Sequence, residues 1–208
     1  MNTIKIVGIG PGHKGYILPI AYEAVKKSHM VIGASRNLEA FAHLKKETVC
    51  YEGNLEKIVS IIKEERHKKN IAIIVSGDTG FYSLLDYIKK HLDEKWIEVI
   101  PGISSFQYLF ARLKRNYKDY ALHSLHGKSK DVNALLAKEN KLFLLTDSIN
   151  TPGKIASDVI NLYGQYQMIV GENLSYPEER IVKGKVEDFT NKDFKNLCVV
   201  VIEKNDRS

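Results

Sequence analysis

Apolar and polar positions alternate in blocks along the chain, and the blocks have two distinct periods. Thr3 to Ile9 is a short Ile- and Val-rich run of strand length. A helical stripe through Leu18, Ala21 and Val25 follows, with Glu23, Lys26 and Lys27 on another face. Met30–Ile32 reads as a second strand, Arg36–His43 as a short helix and Thr48–Tyr51 as a third strand. Leu55, Ile58, Val59, Ile61 and Ile62 then recur at helical spacing, opposed by Lys63, Glu64, Glu65 and Lys68. Ile71–Val75 is apolar throughout, as in a strand covered on both faces. Phe81–His91 predicts a helix, Trp96–Ile100 a strand and Ser104–Leu113 a helix. Strands that alternate with helices in this way predict an α/β fold with a mainly parallel sheet between helical layers.

The pattern changes after residue 113. Asn116–Asp119 is polar and has the composition of a linker. Beyond it, Leu142–Leu145, Met168–Val170, Arg180–Lys183 and Leu197–Ile202 read as strands, and Pro152–Leu162 as a helix. Fewer clear helices predict a mixed α/β unit. The expected organisation is therefore two α/β domains, 1–114 carrying a glycine-rich loop and 115–208 closing the chain.

Composition narrows the function. Apolar residues make up 44% and charged residues 27% of the 208, the balance of a soluble globular protein. No apolar window approaches the roughly 18 residues of a membrane span, and the N-terminus lacks a secretory pattern, so the expected location is the cytoplasm. Two isolated cysteines, Cys50 and Cys198, build neither a disulfide framework nor a zinc site; both are expected to be reduced and buried. The net charge of +6 suits any polyanion. It concentrates in residues 112–130, where six Lys or Arg face one Asp and two His, His123 and His126, intervene.

Three segments follow predicted strands and open predicted helices. Gly8-Ile9-Gly10-Pro11-Gly12 permits a tight turn and a close ligand approach. It is not a Walker loop, because His13-Lys14-Gly15 replaces the Gly-Lys-Ser/Thr ending, and the third glycine of a dinucleotide fingerprint is His13. The acidic ribose partner is also missing; Arg36 stands near the end of the second strand and instead suits a 2′-phosphate, which keeps an NADP-dependent oxidoreductase open. Pro11 removes one N–H that a pyrophosphate would use. Ser76-Gly77-Asp78-Thr79-Gly80-Phe81 is the second segment and Pro101-Gly102-Ile103-Ser104-Ser105 the third. The second and third segments read either as a helix cap or as a ligand loop, and a cap does not need Gly80. Three at one sheet edge suit a cofactor held by backbone and shape, with little negative charge.

These residues resemble the tetrapyrrole methylase family over nearly the whole chain. IVGIGPG is similar to its N-terminal glycine-rich loop, and SGDTGFYSLL to its G-D-P-type loop, with Thr79 where many members have Pro. IPGISSFQYLFARL from Ile100, SLHGK at 124–128 and GENLSYPEERI at 171–181 resemble more narrowly the branch that methylates carbon 5 of a cobalt-precorrin-7 or precorrin-6Y ring in cobalamin biosynthesis. The resemblance implies two α/β domains with a cofactor cleft between them, a homodimer, and S-adenosylmethionine as methyl donor. Carried over by motif, the cofactor contacts are Gly10, Pro11, Gly77, Asp78, Phe81, Ser104 and Ser105, joined from the second domain by Leu145, Thr146, Asn173 and Leu174. The branch also implies a separate C15-methylating, decarboxylating partner, since 208 residues leave no room for that activity in one chain.

A sulfonium donor is already activated, so the chemistry asks for alignment and water exclusion, with neither a covalent nucleophile nor a protein-bound metal. No residue stands out as a catalytic group; His126 is the candidate by type for accepting a ring proton. Arg112, Arg115, His126 and Lys128 are the expected contacts for the carboxylates of a precorrin. Three alternatives remain: a methylase acting at another carbon, the NADP-dependent oxidoreductase, and a nucleic-acid module in which Tyr117 and Tyr120 stack bases between the cations of 112–130.

Overall fold

The computed structural model describes residues 3–51, 53–127, 130–159, 161, 164–195 and 197–205. They divide into two compact units, Met1–Ser104 and Ser105–Ser208.

The first unit holds a five-stranded sheet of β1 (Ile4–Gly8), β2 (Met30–Gly33), β3 (Glu47–Cys50), β4 (Ile71–Val75) and β5 (Ile97–Ile100), all parallel, in the order β3-β2-β4-β1-β5. Alternate residues of each central strand serve opposite faces. Ile4, Ile6, Met30, Ile32, Ile71 and Ile73 pack with α3 (Leu55–Glu65) and α4 (Leu85–His91). Val7, Ile9, Val31, Ala72 and Ile74 pack with α1 (Pro19–Lys27) and Phe41, just beyond α2 (Ser35–Glu39). The chain leaves β1 toward β2 on one side and leaves the neighbouring β4 toward β5 on the other. The carboxyl ends of β1 and β4 therefore form a topological switch point, where open α/β sheets take ligands.

The second unit holds a mixed sheet in the order β6-β7-β10-β8-β9, from β6 (Ala121–Ser124), β7 (Lys141–Leu145), β8 (Tyr166–Glu172), β9 (Arg180–Lys185) and β10 (Cys198–Lys204). Only β6 and β7 pair in parallel. Leu142, Leu144, Met168, Val170, Val200 and Ile202 face α6 (Val132–Lys138) and α7 (Pro152–Asp158). On the opposite face, α5 (Ser105–Leu113) sets Phe106 and Phe110 against Phe143, and Leu109 lies over Gly171. This packing is why the division between units falls ahead of α5, whereas the change of pattern in the sequence comes after it.

Several expectations need correction. The helix expected over Phe81–His91 begins only at Leu85, because Tyr82 takes φ +50° and the segment before Leu85 is bent. The helix expected to run to Leu162 ends at Asp158. β6 and α6 lie in a stretch to which the sequence pattern assigned no element. Cys198 is buried as expected, but Cys50 is exposed on the edge strand β3.

Candidate functional site

The three glycine-bearing loops of the first unit meet at the switch point. Gly10 and Gly77 exchange both backbone hydrogen bonds, Gly10 N–H to Gly77 O at 3.2 Å and Gly77 N–H to Gly10 O at 2.7 Å. Gly8 and Gly102 then touch. A Cβ on Gly8 would stand 2.7 Å from the Gly102 nitrogen, and one on Gly102 would stand 2.2 Å from Gly77 O. Glycine is required at both positions by the space between backbones, because neither neighbour is a side chain that can turn away.

Asp78 ties this crossing together. Its Oδ1 accepts from Gly80 N–H at 2.8 Å, closing its own turn, and its Oδ2 accepts from Gly102 N–H at 3.0 Å, reaching the loop after β5. The helix-cap reading of Asp78 or Thr79 fails, since α4 begins well past both. Thr79 is buried, and its carbonyl accepts from the Ser83 hydroxyl. Phe81 meets Tyr82 edge to face at 5.0 Å between ring centres. Gly10 is buried, Pro11 is half-buried, Ser104 is 1% exposed and Ser105 opens α5.

The hydrogen bonds also say what these loops would hold. The N–H groups of Gly10, Gly15, Gly77, Gly80 and Gly102 are all donated inside the protein, to Gly77 O, His13 Nδ1, Gly10 O and the two Asp78 oxygens. A pyrophosphate needs such groups turned outward. These five N–H groups are therefore not available to a phosphate.

Removing the Asp78 carboxylate leaves the Gly102 N–H unsatisfied, at a cost of about 1–3 kcal/mol. The expected result for Asp78→Ala is a lower melting point together with weaker binding of S-adenosylhomocysteine by calorimetry. A wild-type melting point would refute the bracing role.

In the second unit, β6, β7 and β8 run in one direction and end at one edge. The structure gathers Leu145, Thr146, Asn173, Leu174 and His126 there. Leu145 ends β7, and the Thr146 hydroxyl donates to Cys198 O at 2.7 Å. Asn173 follows β8 at φ +48°, its N–H on Leu197 O, and Leu174 is buried against Gly171. His126 is exposed just past β6. Asp147 repeats the arrangement of Asp78, since it accepts from Ile149 and Asn150 in its own turn and from Gly127 N–H across the edge. Burial opposes the ionisation of Asp147, but these backbone donors outweigh it and hold the carboxyl below its usual range.

The basic segment is only partly gathered at that edge. Arg115 lies at the opposite edge, beside the start of β7 and the end of β10, with Nη1 2.6 Å from Glu203 Oε1. Arg112 donates to Glu179 at 2.9 Å. Both guanidinium groups thus already hold a carboxylate of the protein. Lys128 falls outside the described residues. Tyr117 packs on Phe106 and Phe110 while staying 40% exposed, and Tyr120 packs on Phe110 with its hydroxyl donating to Glu203. Burial, reinforced by Glu203, pushes Tyr120 up to about 12 and keeps it a donor. Cys198 is likewise pushed up to about 12 by burial, which leaves its thiol protonated. Among the described residues no cluster of three or more His, Cys, Asp or Glu has the geometry for a metal ion, and no helix is long and apolar enough to cross a membrane.

Residues 3–190 match the sequence profile of the tetrapyrrole (corrin/porphyrin) methylases. The chain belongs to this family. It is a methyltransferase. Among its relatives is a probable cobalt-precorrin-7 C(5)-methyltransferase of Methanocaldococcus jannaschii, 34% identical over 96% of this chain and 97% of that one. A cobalt-precorrin-7 C(5)-methyltransferase of Salmonella typhimurium is 30% identical over 97% of this chain and 99% of its own length. The fold is shared with the uroporphyrin-III C-methyl transferase of Thermus thermophilus in complex with S-adenyl homocysteine, at TM-score 0.80 and 18% identity, covering 97% of each chain. The Asp78 brace and the Arg112 and Arg115 pairings escaped sequence reasoning, because their partners are a backbone N–H and acids far along the chain.

Proposed function

We propose that this methylase transfers a methyl group from S-adenosylmethionine to carbon 5 of a cobalt-precorrin-7 ring in cobalamin biosynthesis. The observation that carries the acceptor is the end-to-end similarity to enzymes of that name, on both this chain and theirs. The cofactor is supported by the loops themselves, in which the N–H groups of Gly10, Gly15, Gly77, Gly80 and Gly102 are spent internally and are not turned toward a phosphate. The same property argues against NADP.

When bound, the cofactor would supply an electrophilic methyl, sulfur keeping the electron pair of the C–S bond while a ring carbon provides the pair of the new C–C bond and then gives up a proton, for which His126 is the candidate acceptor. The residues of the chain position and exclude. Gly10, Pro11, Gly77 and Ser104–Ser105 offer a close, rigid wall, and Asp78 holds two of the loops at fixed separation. Rigid placement of donor against acceptor is the main rate contribution such a site makes. Leu145, Thr146, Asn173 and Leu174 are the proposed contacts from the second unit, and His126 the proposed neighbour of the ring. A cytoplasmic homodimer, working beside a separate C15 enzyme, belongs to the same reading.

The test is a mass measurement of the precorrin product, with the new carbon located by NMR. One added methyl at carbon 5 is expected. A methyl at another carbon would overturn the regiochemistry alone. Binding of NADPH but not S-adenosylhomocysteine would overturn the reading as a whole.

A further inference from the structure

Arg36 is left unused by the cofactor reading, yet its setting is specific. It lies in α2, directly after β2, at the same carboxyl edge as the glycine loops. Its Nη2 donates to Ser76 Oγ at 3.2 Å. The Ser76 hydroxyl in turn donates to Asn37 Oδ1 at 3.0 Å, and Asn37 is only 5% exposed. An exposed guanidinium is thus anchored, through one hydroxyl, to a buried amide. Among the described residues no carboxylate pairs with it, Glu39 on its own helix included. Arg112, Arg115 and Arg180 each have such a partner. Ser76 is the residue before Gly77, so the guanidinium flanks the crossed loops on their β2 side. Tyr51, beyond the end of β3, lies on its other side with its N–H on Gly33 O.

The bond to Ser76 uses one of the guanidinium's donors and leaves its charge unneutralised. A guanidinium has five N–H donors and is built for bidentate contact with a carboxylate. Asp78, two residues past Ser76, already has both oxygens on backbone N–H groups. We propose that Arg36, held by Ser76 and Asn37, binds a side-chain carboxylate of the tetrapyrrole acceptor and so positions the ring beside the crossed loops. The proposal rests on the methylase reading and replaces Arg112 and Arg115 as the carboxylate-binding arginine.

The probes are uroporphyrin, whose acetate and propionate side chains carry the charge, and its methyl ester, which lacks it. Fluorescence titration at low salt should show uroporphyrin binding to the wild type and a loss of about tenfold to a hundredfold in Arg36→Ala, the range of one charge-assisted contact. Arg36→Lys should recover part of it. Binding of the ester should not distinguish the variants, and S-adenosylhomocysteine affinity should stay at the wild-type value in all of them. In methyl transfer, Arg36→Ala should raise KM for the acceptor more than it lowers kcat. Equal uroporphyrin affinity in wild type and both variants, or no binding to the wild type, would overturn the proposal. So would a loss confined to S-adenosylhomocysteine, which would make Arg36 a cofactor ligand. If the wild type discriminates uroporphyrin from its ester through Arg36 but adds no methyl to a precorrin, the proposed function fails and the carboxylate site stands.

Discussion

Gly102→Ala is expected to unfold the loop crossing of the first unit. The added methyl would stand 2.2 Å from Gly77 O and 2.7 Å from the Gly8 carbonyl carbon, both backbone atoms. Relief requires the loop after β5 to move away from β1, which breaks the 3.0 Å bond between Gly102 N–H and Asp78. Overpacking of this kind costs about 3 kcal/mol or more, a large share of the stability of an ordinary domain. Thermal melting should drop steeply, and S-adenosylhomocysteine binding should fall below detection even where the chain still folds. Gly164→Ala is the internal control. Nothing lies within 4 Å of its added Cβ, and only its φ of +78° opposes alanine, at about 1 kcal/mol. Equal melting of the two variants would show that the glycine contact is not what fixes the crossing.

Acid is expected to unfold the second unit before the first. Burial opposes the ionisation of Glu203, but the Tyr120 hydroxyl and Arg115 outweigh it and hold its carboxyl below the usual range. Glu172 is lowered against burial by the Lys195 N–H and Arg180, and Glu179 by the Tyr108 hydroxyl, the Ser175 N–H and Arg112. Asp147 behaves alike. All four belong to the second unit. A carboxyl whose folded value is depressed binds fewer protons folded than unfolded, so its contribution is full above the unfolded value. It is lost as the pH falls through the folded one. The window therefore lies below about pH 4. In the first unit the lowered carboxyls, Glu65 and Asp93, sit in exposed ion pairs and contribute little. Trp96, the single tryptophan, lies in the first unit under the Arg66 guanidinium. Its fluorescence should therefore lag behind the far-UV circular dichroism on acidification. Glu203→Ala should reproduce the loss at neutral pH by about 3 kcal/mol, the low end for a broken buried pair, because Arg115 is 34% exposed and rehydrates. Coincident acid transitions by the two probes would contradict this account.

What was legible in the sequence is what local pattern encodes. β1 and β4 announce themselves as Ile- and Val-rich runs, β4 apolar throughout and β1 interrupted only by Lys5, because helices cover both of their faces. The three loops were visible because each combines glycine with a strand end. β6 was not, since Ala-Leu-His-Ser at a sheet edge is half-buried and too short to show a period. The start of α4 was misplaced because apolar Phe81 and Leu84 extend the helical pattern, while Tyr82 leaves helical geometry. The availability of Arg112 and Arg115 was misjudged because Glu179 and Glu203 reach them only through the fold of the second unit.

Asp78 with Gly102, and Asp147 with Gly127, are contacts between a carboxylate and a main-chain amide. Every residue type except proline supplies that amide. A change at position 78 therefore cannot be compensated by any side chain at 102, and the two positions have no reason to vary together. Statistical pairing of columns across related sequences would be blind to both ties, although they set the separation of the loops. Transplanting this site into another scaffold would need the loop backbones copied as a set, because the residue identities alone do not carry the wiring.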